Sequence, residues 1–343
     1  MIAFVARRLS LALISIVGAS VIAFVILRVA PGDPARLVLG QFATPAQIAQ
    51  FRRANGLDLN LAAQYWRFVS RFVTGDWGFS YGSGVPVRHL LISRLPATVE
   101  LALTAFAWAA AAAVLLALAC TYRTRPRLER SVNAVAFAGL AAPPFWLALL
   151  ALLALSLKIG IFPGPDGQIN ARLAAFPHPT GFLLLDSLLA GRLDAFASVV
   201  SHLVLPAFVL GLGVWAYLYR LLRANLLEVA NEPFLMVVES KGIGRWTTFW
   251  RHALPNAGLP TLTAAGLVLA WLLGGSVLVE AVFDWPGVGG LVVDAVGQKD
   301  YSIVQAFIVV SAATYVAVNF LVDLLYGVVD PRIRTAVNHG AQQ

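Results

Sequence analysis

Apolar runs recur along the chain at 9–27, 101–122, 131–157, 195–219, 253–279 and 301–322, and none of them contains Asp, Glu, Lys or Arg. Each is about as long as the ~20 residues that carry a helix across the hydrocarbon core of a bilayer. The apolar character is continuous rather than alternating, which excludes the ~10-residue dyad pattern of barrel strands. Inside lipid every backbone N–H and C=O must be satisfied within its own segment, so such runs must be helical. The pattern therefore predicts an all-α polytopic membrane protein with six transmembrane helices. The run at 195–219 contains His202 and Pro206. That helix is predicted to begin nearer Leu203, with His202 at the interface.

The intervening segments are polar and punctuated. Segment 30–97 carries Pro31, Gly32, Asp33 and Pro34, then Gly56, then Gly75, Asp76, Trp77 and Gly78. Between these breaks, Pro45–Asn55 and Leu61–Thr74 are predicted as short amphipathic helices, the second with Trp66, Val69 and Val73 on one face. The segment is expected to form a small extracytoplasmic subdomain. The stretch 160–198 opens with Pro163, Gly164, Pro165 and Gly167. Its apolar part, Thr180–Ala190, is too short to span and predicts a re-entrant or surface helix. Residues 283–290 contain three glycines and Pro286. They predict a tight turn rather than a regular helix.

Composition narrows the function classes. Apolar residues make up 59% of the 343 positions and charged residues 12%, about half the charged share of a soluble domain. With the N-terminus inside, segments 1–8, 123–130, 220–252 and 330–343 hold 13 basic residues, against 12 in outer segments about twice as long. The short loop with Arg123, Arg125, Arg127 and Arg130 anchors this orientation, which puts both termini in the cytoplasm. The net charge of +8 follows from that bias. No basic patch interleaved with aromatics marks a nucleic-acid partner. Arg7 and Arg8 precede the first run, but no small-residue cleavage site follows it; an uncleaved first helix is expected. The single Cys120 lies in an apolar run and forms no internal disulfide.

Chemistry-bearing motifs are missing. No G-x-x-x-x-G-K-[ST] loop, H-E-x-x-H helix or G-x-S-x-G elbow occurs. His89, His178, His202, His252 and His339 have no metal-ligand spacing. No cofactor or metal is expected. Ionisable residues inside the runs are nearly absent; His202 lies within the fourth, and Asp323 stands just past the sixth. A proton- or sodium-coupled carrier would need buried acids or broken helices at the midplane, and an intramembrane enzyme a catalytic constellation. Both readings lose ground to one in which work arrives through a contact.

That contact is sought in 223–256, a polar and basic stretch between two apolar runs. Pro233 suits the first turn of a helix, in which Phe234, Val237, Val238 and Lys241 share a face. Gly242 suits a left-handed cap. A second short helix would carry Trp246, Phe249 and Trp250 on one side, and Pro255 would open the next span. The result is a helix–Gly–helix elbow with exposed aromatics, suited to a lipid surface or to a protein partner.

Gly242, nine residues, then His252-Ala253-Leu254-Pro255 resembles the loop by which ABC importer permeases dock their ATPases. With Arg7-Arg8, Ala30-Pro31-Gly32-Asp33-Pro34, Gly56-Leu57-Asp58, Gly75-Asp76-Trp77-Gly78, Arg94–Ala102, Pro143-Pro144-Phe145-Trp146, Glu280–Phe283, Trp285–Gly289 and Asp330-Pro331-Arg332, the chain resembles permeases of the dipeptide/oligopeptide/nickel importer family nearly end to end. It departs where many importer permeases show Glu-Ala-Ala: here stand Met236-Val237-Val238, so Glu239 or Glu232 would have to supply any acidic contact.

The resemblance implies a type I importer permease fold. It divides the chain into tail and first helix 1–29, outer loop 30–97, transmembrane domain 98–335 with coupling loop 223–256, and tail 336–343. It implies a bacterial inner-membrane location, a second permease, two cytoplasmic ATPases and an extracytoplasmic binding protein, in a lipid setting. Phe234, Val238, Glu239, Lys241, Gly242, Arg245, Trp246, Phe249, Trp250, His252, Leu254 and Pro255 would form the ATPase-coupling loop. Asp33, Asp76, Trp77, Trp285, Pro286 and Gly287 would belong to the outer loops. Gly211, Gly213, Gly274 and Gly275 are candidates for close helix approach along the path. Peptide is the expected cargo; nickel, glutathione or another small solute is the alternative. With Met1 and Met236 the only methionines, a soft-ligand nickel lining is lacking.

Overall fold

The computed structural model describes residues 2–29, 35, 39, 42–122 and 126–329, with side chains over 8–25, 35, 39, 42–122, 126–274 and 276–322. Asp33, Arg123, Arg125 and the Asp330-Pro331-Arg332 motif lie outside it. The fold is all-α apart from one short hairpin. In chain order the helices are α1 (Ile2–Val29), α2 (Pro45–Asn55), α3 (Leu61–Val73), α4 (Val87–Tyr122), α5 (Pro126–Ala141), α6 (Pro144–Ala151, widening into a π turn over Leu152–Lys158) and α7 (Leu183–Leu189). Then come α8 (Leu193–Ala230), α9 (Pro233–Ser240), α10 (Arg245–Thr247, passing through a π turn at Thr248–Ala253), α11 (Leu254–Gly275), α12 (Val277–Val282), α13 (Val288–Gly297) and α14 (Tyr301–Val329). The hairpin pairs β1 (Phe79–Ser80) with β2 (Val85–Pro86).

Among the described residues five helices are long and apolar enough to cross a bilayer, and α5 with α6 make a sixth crossing only as a pair bent by 108°. The single straight span expected over 131–157 is thus corrected. Pro143 has φ −61° and ψ 134°, the extended geometry forced on a residue that precedes proline. The expected start at Leu203 is also corrected: α8 begins at Leu193 and runs through both His202 and Pro206. His202 stays within the helix because its Nδ1 donates to the Ser198 carbonyl at 2.7 Å.

The core is the α4–α8 pair, the most extensively packed in the molecule. Ala105, Ala109, Ala113 and Ala117 recur every fourth residue of α4, and all are buried. This smooth seam lets α8 approach closely. One key fixes the register: Trp108 Nε1 donates to the Ala207 carbonyl at 2.8 Å. Its indole fills the notch left by Gly211, where an added Cβ would lie 2.5 Å from Trp108 Nε1 and 2.7 Å from the Ala105 carbonyl. Gly211 therefore serves packing within this subunit. Helix α5 is tied to α8 by Glu129–Arg223 and by Tyr219 donating to Asn133 at 3.1 Å. Helix α1 packs mainly on α14 and leaves Leu13, Ile14 and Ile22 exposed.

Segment 42–86 forms where the sequence predicts. Thr44 builds a capping box with Gln47, and Gly56 closes α2 at φ 67°, as a left-handed cap requires. Of the predicted stripe on α3, Val69 is half-buried. Trp66 and Val73 are exposed; Tyr65 and Phe68 meet Phe24 of α1, and Phe72 stacks on Trp77.

Candidate functional site

The elbow between α8 and α11 is built as its residues dictate. Glu232 is extended and Pro233 opens α9, where a missing N–H costs nothing. Gly242 adopts φ 77° and its N–H donates to the Glu239 carbonyl at 3.0 Å. Arg245 starts α10, and Pro255 stands in the first turn of α11. Among the described residues, and its chain neighbours apart, no atom would come within 4 Å of a Cβ at Gly242.

The faces differ from the expected ones. Leu235 is the buried residue of α9, whereas Phe234, Met236 and Val237 are exposed and Val238 is half-buried. The stripe through Phe234, Val237 and Lys241 thus points away from the bundle. Phe249 is 5% exposed, while Trp246 and Trp250 are 51% and 50% exposed. Phe249 is therefore an internal anchor, not part of an exposed trio. Trp246 and Trp250 stack with centroids 6.2 Å apart at 15°. Glu232, Glu239, Lys241 and Arg245 of the same elbow are exposed, and His252 and Leu254 are half-buried. An exposed aromatic and aliphatic patch rimmed by charge is the signature of an interaction surface.

The elbow grips the end of α4. The Tyr122 ring meets Trp246 edge-on at 5.3 Å and Phe249 at 5.8 Å, with the Arg245 guanidinium 5.9 Å from its centroid.

Toward the other end of α4, three residues within one helical turn hold the segments around 285–288 and 168–184. The Ala97 carbonyl accepts from Trp285 Nε1 at 2.9 Å, and Thr98 Oγ1 accepts from the Val288 N–H at 2.8 Å. Glu100 accepts from the Leu184 N–H at 2.8 Å and from Gln168 Nε2 at 3.1 Å. Glu280, fully buried, accepts from Ser276 Oγ at 2.6 Å and from the Gly289 N–H at 2.7 Å. Here the expected turn is half right. Residues 283–287 turn, but Gly289 and Gly290 lie in the first turn of α13. A Cβ at Gly289 would sit 2.6 Å from Val277 Cα, so glycine admits this helix rather than forbidding it.

Trp285 and Gly287 are buried, Pro286 half-buried and Trp77 stacked inside segment 42–86. Asp76 pairs with Arg71 at 3.4 Å. A cavity of about 550 Å³ opens beside them, lined by Phe51, Arg71, Asp76, Tyr81, Lys299 and Tyr301 among others. The structure thus gathers the coupling-loop residues into one elbow and the described outer-loop residues at the opposite end. Sequence reading missed Tyr122 and the buried acids Glu100, Asp186 and Glu280. A usable signal existed for two: Glu100 and Glu280 each sit at the edge of an apolar run.

Comparison with known proteins gives these ends a context. The family model of the binding-protein-dependent transport system inner membrane component matches residues 109–335, and the N-terminal model of the same components matches 1–102. The chain is 35% identical to the di/tripeptide transport system permease protein of Pseudomonas aeruginosa, over 97% of this chain and 99% of that one. It is 39% identical to a probable D,D-dipeptide transport system permease protein of Escherichia coli, over 93% of each. With an oligopeptide transport system permease protein of Bacillus subtilis it shares 34% identity, over 97% and 99%.

Proposed function

The chain belongs to the family of inner membrane components of binding-protein-dependent transport systems, and from that premise we propose that it is a permease subunit of an ATP-driven importer of short peptides. The observation that carries the cargo is near-full-length identity to di/tripeptide, D,D-dipeptide and oligopeptide permeases. This chain forms one half of the translocation path and a second permease forms the other. Hydrolysis belongs to two separate cytoplasmic ATPases, and an extracytoplasmic binding protein delivers the peptide.

The elbow over 231–256 is the coupling loop in this reading. Its support is the exposed Phe234, Met236, Val237, Trp246 and Trp250, since aromatic side chains dominate interface energetics. The two termini and the elbow lie in the cytoplasm. Loops 30–97 and 283–300, with Asp33, Asp76 and the motif Trp285-Pro286-Gly287, lie outside and meet the binding protein. Nucleotide-driven closure of the ATPases shifts the bundle between inward- and outward-facing states, each stabilised by contacts absent from the other.

The test is affinity purification of the tagged chain from its native membrane, followed by reconstitution with whatever co-purifies. ATPase subunits and a second permease should come with it, and proteoliposomes given the binding protein should accumulate labelled di- or tripeptide only with ATP inside the cell-equivalent face. Accumulation of nickel or glutathione in place of peptide would move the cargo assignment. Concentration of solute by this chain without any ATPase would end the reading.

A further inference from the structure

We propose that Tyr122 is the joint through which elbow motion reaches α4, and that α4 delivers that motion as one rod to the loops held toward its other end. The inference rests on the elbow being the coupling loop. It adds a positioning residue that touches neither the ATPase surface nor the cargo.

Three observations converge on it. Tyr122 is engaged at once by three elbow residues, Arg245, Trp246 and Phe249. Trp246 also carries the exposed stack with Trp250. A push on that stack is therefore delivered to the Tyr122 ring, and Phe249 behind it prevents the ring from yielding inward.

Helix α4 begins at Val87 and carries Pro96 within it; from there to Tyr122 it has no further proline or glycine, and that stretch spans roughly 40 Å at 1.5 Å per residue. Trp108 seated at Gly211 and bonded to the Ala207 carbonyl keys α4 to α8. The elbow grows from the end of α8, so α4 and α8 are joined both at mid-length and through the Tyr122 clamp.

Toward the other end, residues 97, 98 and 100 of α4 hold Trp285, Val288, Leu184 and Gln168 by direct hydrogen bonds. The loop 283–289 and helix α7 cannot stay still if this end of α4 moves without breaking those bonds. The same connection runs in reverse, because coupling between two sites is reciprocal. A binding protein seated on the far loops would alter the elbow, and so the ATPases.

The experiment uses the complete transporter with Tyr122→Phe, Tyr122→Leu and Tyr122→Ala. Tyr122→Phe keeps the ring and should transport normally. Tyr122→Ala should retain its ATPases on purification and hydrolyse ATP, yet lose uptake and lose stimulation of hydrolysis by loaded binding protein, each by about ten-fold or more, the factor expected on deleting two edge-to-face ring contacts. If Tyr122→Ala does not accumulate in the membrane, Tyr122→Leu, which keeps apolar volume without the ring geometry, carries the same expectation. Wild-type uptake and stimulation in the leucine variant overturn the proposal, as does a Tyr122→Phe variant as defective as the truncations. Trp250→Ala separates the two levels. ATPase retention and uptake unchanged in Trp250→Ala count against the elbow reading itself. Loss in Trp250→Ala with normal Tyr122 variants removes only the joint.

Discussion

Gly242 and Gly211 are glycines for opposite reasons. Gly242 needs its backbone angle, φ 77°, and among the described residues, its chain neighbours apart, nothing lies within 4 Å of a built Cβ. Gly211 needs its missing Cβ, because the Trp108 indole occupies the space. The first case yields a graded expectation. Gly242→Asn should melt like the parent, because asparagine tolerates the left-handed region, whereas Gly242→Val should lose about 1–2 kcal/mol. Thermal unfolding of the detergent-solubilised protein checks this; equal losses in the two variants would contradict the conformational account. Gly242→Trp should insert normally yet lose ATP-driven uptake, since in the proposed docking the ATPase takes up the free space at this position. Glu100, Asp186 and Glu280 give a further residue-level lesson. Each is buried, and each accepts a backbone N–H: Glu100 from Leu184 at the start of α7, Asp186 from Gly181 in the bend before it, and Glu280 from Gly289 in the first turn of α13. Bonds of this kind satisfy side chains that burial would otherwise penalise, which accounts for these carboxyl groups at the rim of an apolar bundle.

At the scale of elements, Gly211→Ala should expel Trp108 from its notch and break its bond to Ala207, at a cost of about 1–3 kcal/mol. A Trp108→Phe change, which shrinks the ring, should recover part of that loss. Strict additivity of the two losses in a double-mutant cycle would show that they do not share the notch. The places of the spanning helices were legible because a bilayer leaves no other outlet for backbone polar groups, but their lengths were not: α4 and α8 run to 36 and 38 residues, well past the apolar runs, because their ends carry polar residues. Pro45–Asn55 was legible to the residue because proline, a capping box and a left-handed glycine bracket it. Facing was not legible. In α3 and α9 apolar residues stand on more than one side, and sequence does not say whether Phe68 or Trp66, Leu235 or Phe234, turns inward. The bend of 108° between α5 and α6 was signalled by Pro143-Pro144, yet hydropathy, which averages over windows, passes straight across it. The continuity of α8 through Pro206 was hidden for the reverse reason. A proline that would end a helix in water is held within one when packed between α4 and α5 in lipid.

For the whole molecule, the proposed sidedness has a direct check. Cys120 is the single cysteine and is buried, so replacing it by alanine leaves a clean background. With Ser83→Cys, a membrane-impermeant maleimide should label intact spheroplasts. With Ser240→Cys it should label only after permeabilisation. Both parent serines are exposed, so the reverse pattern would invert the topology and with it the place of the elbow. Basic-residue bias and ordered motifs act over the full chain, so the sequence supplies an expectation at this level for the labelling to test, while the joint at Tyr122 depends on contacts between distant segments. The sharp corner at Pro143-Pro144 also constrains how the bundle packs around it. Those two residues have no N–H, so the carbonyls of Gly139 and Leu140 lose the donors four positions onward. Acyl chains offer no hydrogen to a stranded oxygen. Gly139 is buried, and its carbonyl lies 3.6 Å from where a Cβ on Gly213 would stand, so this corner is sheltered against α8 rather than laid open to the acyl chains.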